Sequence, residues 1–126
     1  VNSDDIHVTS NVDVVYMGRI PYSKVLSMYK SCDGLVFPSY IETYGLPLLE
    51  AASMGVPIIA SDLPYAREVL AGYDGVTYVP YDDARSWEKA IRSLRKGCRY
   101  KPLHIQNSNS WVKMFNIIQT KIFNNV

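Results

Sequence analysis

Two glutamates, Glu42 and Glu50, stand eight residues apart in the stretch Pro38-Ser39-Tyr40-Ile41-Glu42-Thr43-Tyr44-Gly45-Leu46-Pro47-Leu48-Leu49-Glu50. The stretch reads as strand end, loop and helix start. Glu42 then lies in the loop, and Glu50 about one and a half turns into the helix. Backbone N–H groups at the start of a helix have no intrahelical partner and suit an anion such as a phosphate. Gly45 has no Cβ, so a ligand can approach the backbone closely. Carboxylates beside a phosphate repel it unless they face another part of the ligand. Hydroxyl groups are their natural partner, because one carboxylate can accept from two adjacent ones. A phosphate flanked by polyhydroxyl rings is a nucleotide sugar. On spacing alone, two other readings stay open. The glutamates could be ordinary solvated or capping side chains, or the acid and nucleophile of a hydrolase, with carboxyls about 5–5.5 Å apart.

The surrounding sequence predicts the elements that must hold this loop. Val12 to Met17 is β-branched and aromatic, ends at Gly18, and reads as a buried strand. Pro21 opens a helix from Tyr22 to Cys32, with Tyr22, Val25, Leu26, Tyr29 and Cys32 at helical spacing. Leu35 to Phe37 reads as a short strand covered on both faces. After the loop Pro38 to Tyr44, a helix runs from Gly45 to Met54 and is capped by Gly55. Val56 to Ala60 is a further strand. Ser61-Asp62 caps a short helix near Tyr65 to Leu70. Asp74-Gly75 turns into the strand Val76 to Val79. Asp82 or Asp83 caps a helix with Ala84, Trp87, Ala90, Ile91 and Leu94 on one face, ended by Gly97. Trp111, Met114, Phe115, Ile118 and Ile122 define a terminal helix. Alternating strands and helices predict an α/β domain with a mainly parallel sheet and helices on both faces. In such sheets the ligand lies beyond the carboxyl ends of the strands. The loops from Gly18 to Pro21, Pro38 to Tyr44 and Ser61 to Pro64 qualify.

Composition sets the outer bounds. The chain has 126 residues, 48% hydrophobic and 20% charged, which fits one globular domain and excludes a disordered or collagen-like chain. A formal net charge of +1 excludes a bulk polycation for nucleic acid. Cys32 and Cys98 cannot build a disulfide scaffold, so a reducing compartment is the default. His7 and His104 share no metal-ligand spacing with either cysteine. No apolar run approaches the ~20 residues of a membrane span. The opening Val1 to Asp5 has neither an initiator Met nor a signal pattern, and reads as the start of a trimmed piece. Charge is unevenly spread. Residues 1–88 carry five basic and twelve acidic side chains, and residues 89–126 carry eight basic ones and no acid. The basic end is either a solvated helix whose counter-charges lie elsewhere or a surface for an anionic partner.

The run Pro38-Ser39 … Glu42-Thr43-Tyr44-Gly45-Leu46-Pro47 … Glu50-Ala51-Ala52-Ser53-Met54-Gly55-Val56-Pro57-Ile58-Ile59-Ala60-Ser61-Asp62 … Glu68-Val69 resembles the donor-binding half of the retaining GT-B glycosyltransferases. It is most similar to the large group-1 family, also called glycosyltransferase family 4. Glu42 and Glu50 match the two acids of that family's Glu-x7-Glu motif. Tyr16-Met17-Gly18-Arg19 resembles the strand and turn before the nucleotide-base pocket. Asp74-Gly75 and the helix after Asp83 match the end of the domain. The likeness covers roughly residues 14 to 95, with Thr43 standing where glycine is common.

The resemblance implies a Rossmann-like C-terminal half of a GT-B fold, with residues 1–126 as a partial nucleotide-sugar-binding domain. It implies transfer of a hexose from a nucleoside diphosphate to a saccharide or lipid-linked acceptor. Glu42 would contact the transferred sugar as the catalytic acid of the motif, and Glu50 would hold the ribose hydroxyls. Backbone amides from Thr43, Tyr44, Gly45 and Leu46 would face the diphosphate or sugar, and Arg19 and Ile20 would border the base. No cofactor or metal is implied, because amides and basic side chains would neutralise the leaving diphosphate. In the strand order 3-2-1-4-5-6, Val12–Met17 would be strand 3 and Leu35–Phe37 strand 4. The strands between them, the diphosphate-binding Arg and Lys, and the N-terminal acceptor domain would lie outside this sequence. The fragment alone would then be inactive, and a truncated, non-catalytic binding or assembly domain is the alternative. The parent would be cytoplasmic, without a nucleic-acid partner. The cluster Arg92, Arg95, Lys96, Arg99 and Lys101 suits the anionic inner face of a membrane, where a lipid-linked acceptor would be found.

Overall fold

In the computed structural model, residues 12–40 and 45–104 are described. The elements run α1 (Tyr22–Ser31), β1 (Leu35–Phe37), α2 (Leu46–Ser53), β2 (Ile58–Ser61), α3 (Pro64–Val69), β3 (Val76–Val79) and α4 (Ala84–Arg92). The three strands form one parallel sheet in the order β1-β2-β3, with Leu35 opposite Ile58 and Ile58 opposite Val76. Each strand-to-strand crossover contains one helix, as parallel pairing requires. The expected α/β class and three of the four expected strands are therefore present.

Alternation along the strands sorts the core into two layers. Ile58 and Ala60, with Leu35, Phe37, Val76 and Tyr78 around them, face α1, α2 and α3. Ile59 and Val79 point the other way and meet Ala90, Trp87 and Leu94. In α2, Leu48, Ala51 and Ala52 are fully buried, and the two alanines let the helix lie close to the sheet. On α4 only part of the expected apolar face packs. Ala84 and Ile91 are exposed, because Trp87, Ala90 and Leu94 already cover the strands beneath.

Val12–Met17 is not a strand. The segment has no ladder, and Val12, Val14, Val15, Tyr16 and Met17 are all exposed. Strand propensity needs a neighbouring edge for its N–H and C=O groups, and no described strand pairs with it. The Ser61-Asp62 cap is also corrected. The N-cap of α3 is Leu63, without a side-chain cap, and Asp62 pairs instead with Arg67 at 2.5 Å. Asp83, by contrast, caps α4 by accepting from the Ser86 N–H. The predicted helix around Trp111 to Ile122 lies outside the described residues.

Residues 97–104 close the end of the fold opposite the carboxyl ends of the strands. The Gly97 N–H donates to Asp33 Oδ1 at 3.0 Å. The Arg99 guanidinium reaches the carbonyls of Tyr29, Lys30 and Cys32 at 3.1, 3.0 and 2.8 Å. These are the carbonyls that the end of α1 leaves without helical partners. The Tyr100 and Leu103 N–H groups donate to Gly55 and Ala52 at the end of α2. Gly55 has φ of +73°, and a Cβ there would stand 2.3 Å from the Tyr100 carbonyl oxygen. Its small size is thus needed for this strap to close.

Candidate functional site

The carboxyl ends of β1, β2 and β3 lead into the connections that begin at Pro38, Asp62 and Pro80. Gly45 opens α2 in the left-handed region, with φ of +61°, which glycine tolerates without strain. A side chain at this point would also meet Val69 of α3 at 3.3 Å. Pro47 contributes no N–H, and the Leu48 and Leu49 N–H groups donate to the Gly45 carbonyl. The amides that the helix itself leaves unused here are those of Gly45 and Leu46. Of the expected anion-facing amides, these two lie in the described part of the chain. Glu42, Thr43 and Tyr44 fall outside the described residues, and so does the Glu42–Glu50 separation.

Glu50 occupies the second turn of α2 and faces α1. It is 9% exposed. The Tyr22 phenol donates to its Oε1 at 2.9 Å, and the Tyr29 phenol on the same helix stands near enough to favour the charged carboxylate. Burial raises the Glu50 carboxyl above the ordinary range, and the Tyr22 and Tyr29 phenols offset only part of that rise. Tyr29, buried beside this charge, is itself raised, first by burial and then by Glu50. A buried carboxyl normally requires such partners. The Tyr22 donor leaves the carboxylate with acceptor sites unused, since it has about four.

The structure therefore brings two of the expected regions together. Arg19, exposed, and Ile20, half-buried, directly precede Pro21 and Tyr22. The turn expected to border a base thus leads into the residue that holds Glu50. Gly18, with φ of +59°, makes that turn. Tyr22 and Tyr29 were legible only as members of an apolar helical stripe. Their separation of seven residues puts both hydroxyls on one face of α1, which is the signal that identifies them.

Beyond β2, Arg67 pairs with Asp62 and lies over the Tyr78 ring, 4.3 Å from its centroid. The hydrogen bond from Arg67 holds the Asp62 carboxyl below its ordinary range. Ser61, fully buried at the end of β2, has no hydrogen-bond partner for its Oγ among the described residues. Among the described residues no group of three or more His, Cys, Asp or Glu is placed to hold a metal ion. No described helix is long and apolar enough to cross a membrane. Within the expected basic cluster, Arg92 pairs with Glu88 at 3.0 Å and Arg99 caps α1.

Comparison with known proteins bears on this arrangement. The family model described as "Glycosyl transferases group 1" matches residues 7–104. The chain is 31% identical over 108 residues to the O-antigen chain mannosyltransferase RfbU of Salmonella typhimurium, covering 86% of this chain and 29% of that protein. It is 37% identical over 67 residues to the O-antigen chain mannosyltransferase B of Escherichia coli, covering 53% and 17%. It is 34% identical over 80 residues to a glycogen synthase of Mycobacterium tuberculosis, covering 63% and 19%. The chain thus spans less than a third of the length of these curated relatives. No solved structure matches it. With a family match over most of its length and a parallel α/β sheet beneath the shared motif, the chain belongs to the group 1 glycosyl transferases.

Proposed function

We propose that this chain forms the nucleotide-sugar donor-binding part of a retaining, GT-B-type glycosyltransferase, which transfers a hexose to a saccharide or lipid-linked acceptor. The observation that carries the reading is Glu50, a buried carboxylate held by the Tyr22 phenol, with Tyr29 near it, just inside α2. Its remaining acceptor sites suit a ribose diol. The amides of Gly45 and Leu46 suit the diphosphate, and Arg19 and Ile20 border the base. Glu42 contacts the transferred sugar, with Thr43 and Tyr44 contributing backbone amides beside it. Relatives named as mannosyltransferases make a mannosyl nucleotide the first donor to try. The reading includes no metal, and it places the parent enzyme in the cytoplasm, with its basic end toward the inner face of the membrane. A separate acceptor-binding domain and further diphosphate-binding cations complete the enzyme, so the 126 residues alone transfer no sugar.

The test is steady-state kinetics and calorimetry on the full-length protein with GDP-mannose, UDP-glucose and ADP-glucose. Glu50→Gln is expected to raise the donor KM, because it removes a contact present in the ground state. Glu42→Gln is expected to lower kcat, because its contact strengthens as the glycosidic bond breaks. Wild-type kinetics in both variants defeats the site assignment. Donor binding by none of the three nucleotides favours the non-catalytic alternative.

A further inference from the structure

Tyr40 lies three residues beyond β1, and Tyr81 two residues beyond β3. Their rings stack at 5.3 Å between centroids and 28° between planes. Because β2 separates β1 from β3 in the sheet, the pair meets across the carboxyl end of β2. Both tyrosines remain well exposed, at 59% and 55%. Their backbones are nevertheless pinned by neighbouring aromatic side chains. The Tyr65 hydroxyl donates to the Ser39 carbonyl, and the Trp87 indole N–H donates to the Pro80 carbonyl at 3.0 Å. Fixed backbones presenting a stacked and exposed aromatic pair lower the ordering cost of binding. Asp82, exposed, follows Tyr81 directly.

We infer that Tyr40 and Tyr81 form a stacking platform for the reacting pyranose ring of the saccharide acceptor, the rest of which the separate acceptor-binding domain holds, with Asp82 accepting from that ring's hydroxyls. This rests on the donor-site reading above, which puts the sugar-transfer loop immediately after Tyr40. The apolar C–H face of a pyranose carries partial positive charge and is attracted to the negative face of an aromatic ring. A carboxylate at the edge of the rings can take two adjacent hydroxyls. The pair lies beyond the carboxyl ends of the strands, where open α/β sheets bind their ligands.

The test uses the full-length protein with mannotriose and maltotriose as probes, read by saturation-transfer NMR. Binding of GDP-mannose, UDP-glucose and ADP-glucose is followed separately by calorimetry. Wild-type protein is expected to saturate the ring C–H protons of at least one trisaccharide. Tyr40→Ala and Tyr81→Ala should each weaken that binding about 2- to 12-fold, Tyr81→Phe should retain it, and nucleotide affinity should stay within about twofold. Trisaccharide binding by none of these proteins, or equal binding by all of them, overturns the platform. So does joint loss of trisaccharide and nucleotide binding in the alanine variants, which assigns the tyrosines to the donor or to the fold. Tyrosine-dependent trisaccharide binding by a protein that binds no nucleotide sugar supports the platform and defeats the donor reading instead.

Discussion

Replacing Glu50 by glutamine removes a charge while keeping the shape of the side chain, and its effects on folding and on binding should have opposite signs. In the folded chain the carboxyl is 9% exposed and is raised by burial above its ordinary value of 4.5. Below that ordinary value the group is protonated in both folded and unfolded chains, and its contribution to stability is fully present. As pH rises through the higher folded value, the unfolded chain ionises more easily, and stability is lost. Glutamine has no charge to bury and can still accept from Tyr22 or Tyr29, so it escapes this loss. In denaturant titrations of the full-length protein from pH 4 to 8, Glu50→Gln should gain on the wild type as pH rises. Donor binding should go the other way. A hydrogen bond to a charged group contributes about 1.5–3 kcal/mol, so losing the proposed ribose contact should weaken nucleotide binding about ten- to hundredfold by calorimetry. A variant that loses stability at every pH and binds nucleotide like the wild type refutes the reasoning. Glu50 would then be a bridge between two helices and nothing more.

Tyr22→Phe removes the phenol that donates to Glu50. Donor KM should rise about three- to tenfold, and the pH at which donor affinity rises should move upward, because a phenol that lowers the Glu50 value has gone. Steady-state kinetics across pH 5–8 checks both. Arg99→Ala frees three carbonyls at the end of α1 and should cost about 1–2 kcal/mol in denaturant titrations. Gly55→Ala must adopt a left-handed backbone and meets the Tyr100 carbonyl oxygen at 2.3 Å. It should cost about 2–4 kcal/mol, visible as a lower unfolding midpoint.

Short apolar runs at Leu35, Ile58 and Val76 identify the strands, and the helical spacing between them identifies the crossovers. The expected cover on both faces holds for β2 but not for β1, where Val36 is exposed, nor for β3, where Thr77 is exposed, because each of these two has a described neighbour on one side only. Val12–Met17 has the same composition, yet a strand exists only with a partner edge, and the composition of one segment carries no information about its neighbours. The same limit applies to the site. The motif marks Glu50 as a side chain with a task, but its partners Tyr22 and Tyr29 are 28 and 21 residues away on another helix. Asp62 likewise looked like a cap by position. A nearby guanidinium, which offers a charged hydrogen bond, took it instead.

The strap over residues 97–104 sets an order of events during synthesis. α1 is the first helix of the described chain to leave the ribosome, yet its last carbonyls are closed by Arg99, about seventy residues later. Its Tyr22 meets Glu50 only after α2 has formed. A chain that emerges from its N-terminal end and folds as a unit therefore keeps α1 loosely held until Arg99, about seventy residues further on, has been made. The final clasp arrives with the sequence that follows α4. A nascent chain stalled with α4 outside the ribosome and Arg99 still inside it would carry a sheet able to assemble beside a helix still fraying at its carboxyl end, and protease digestion of such stalled chains would show that helix protected last.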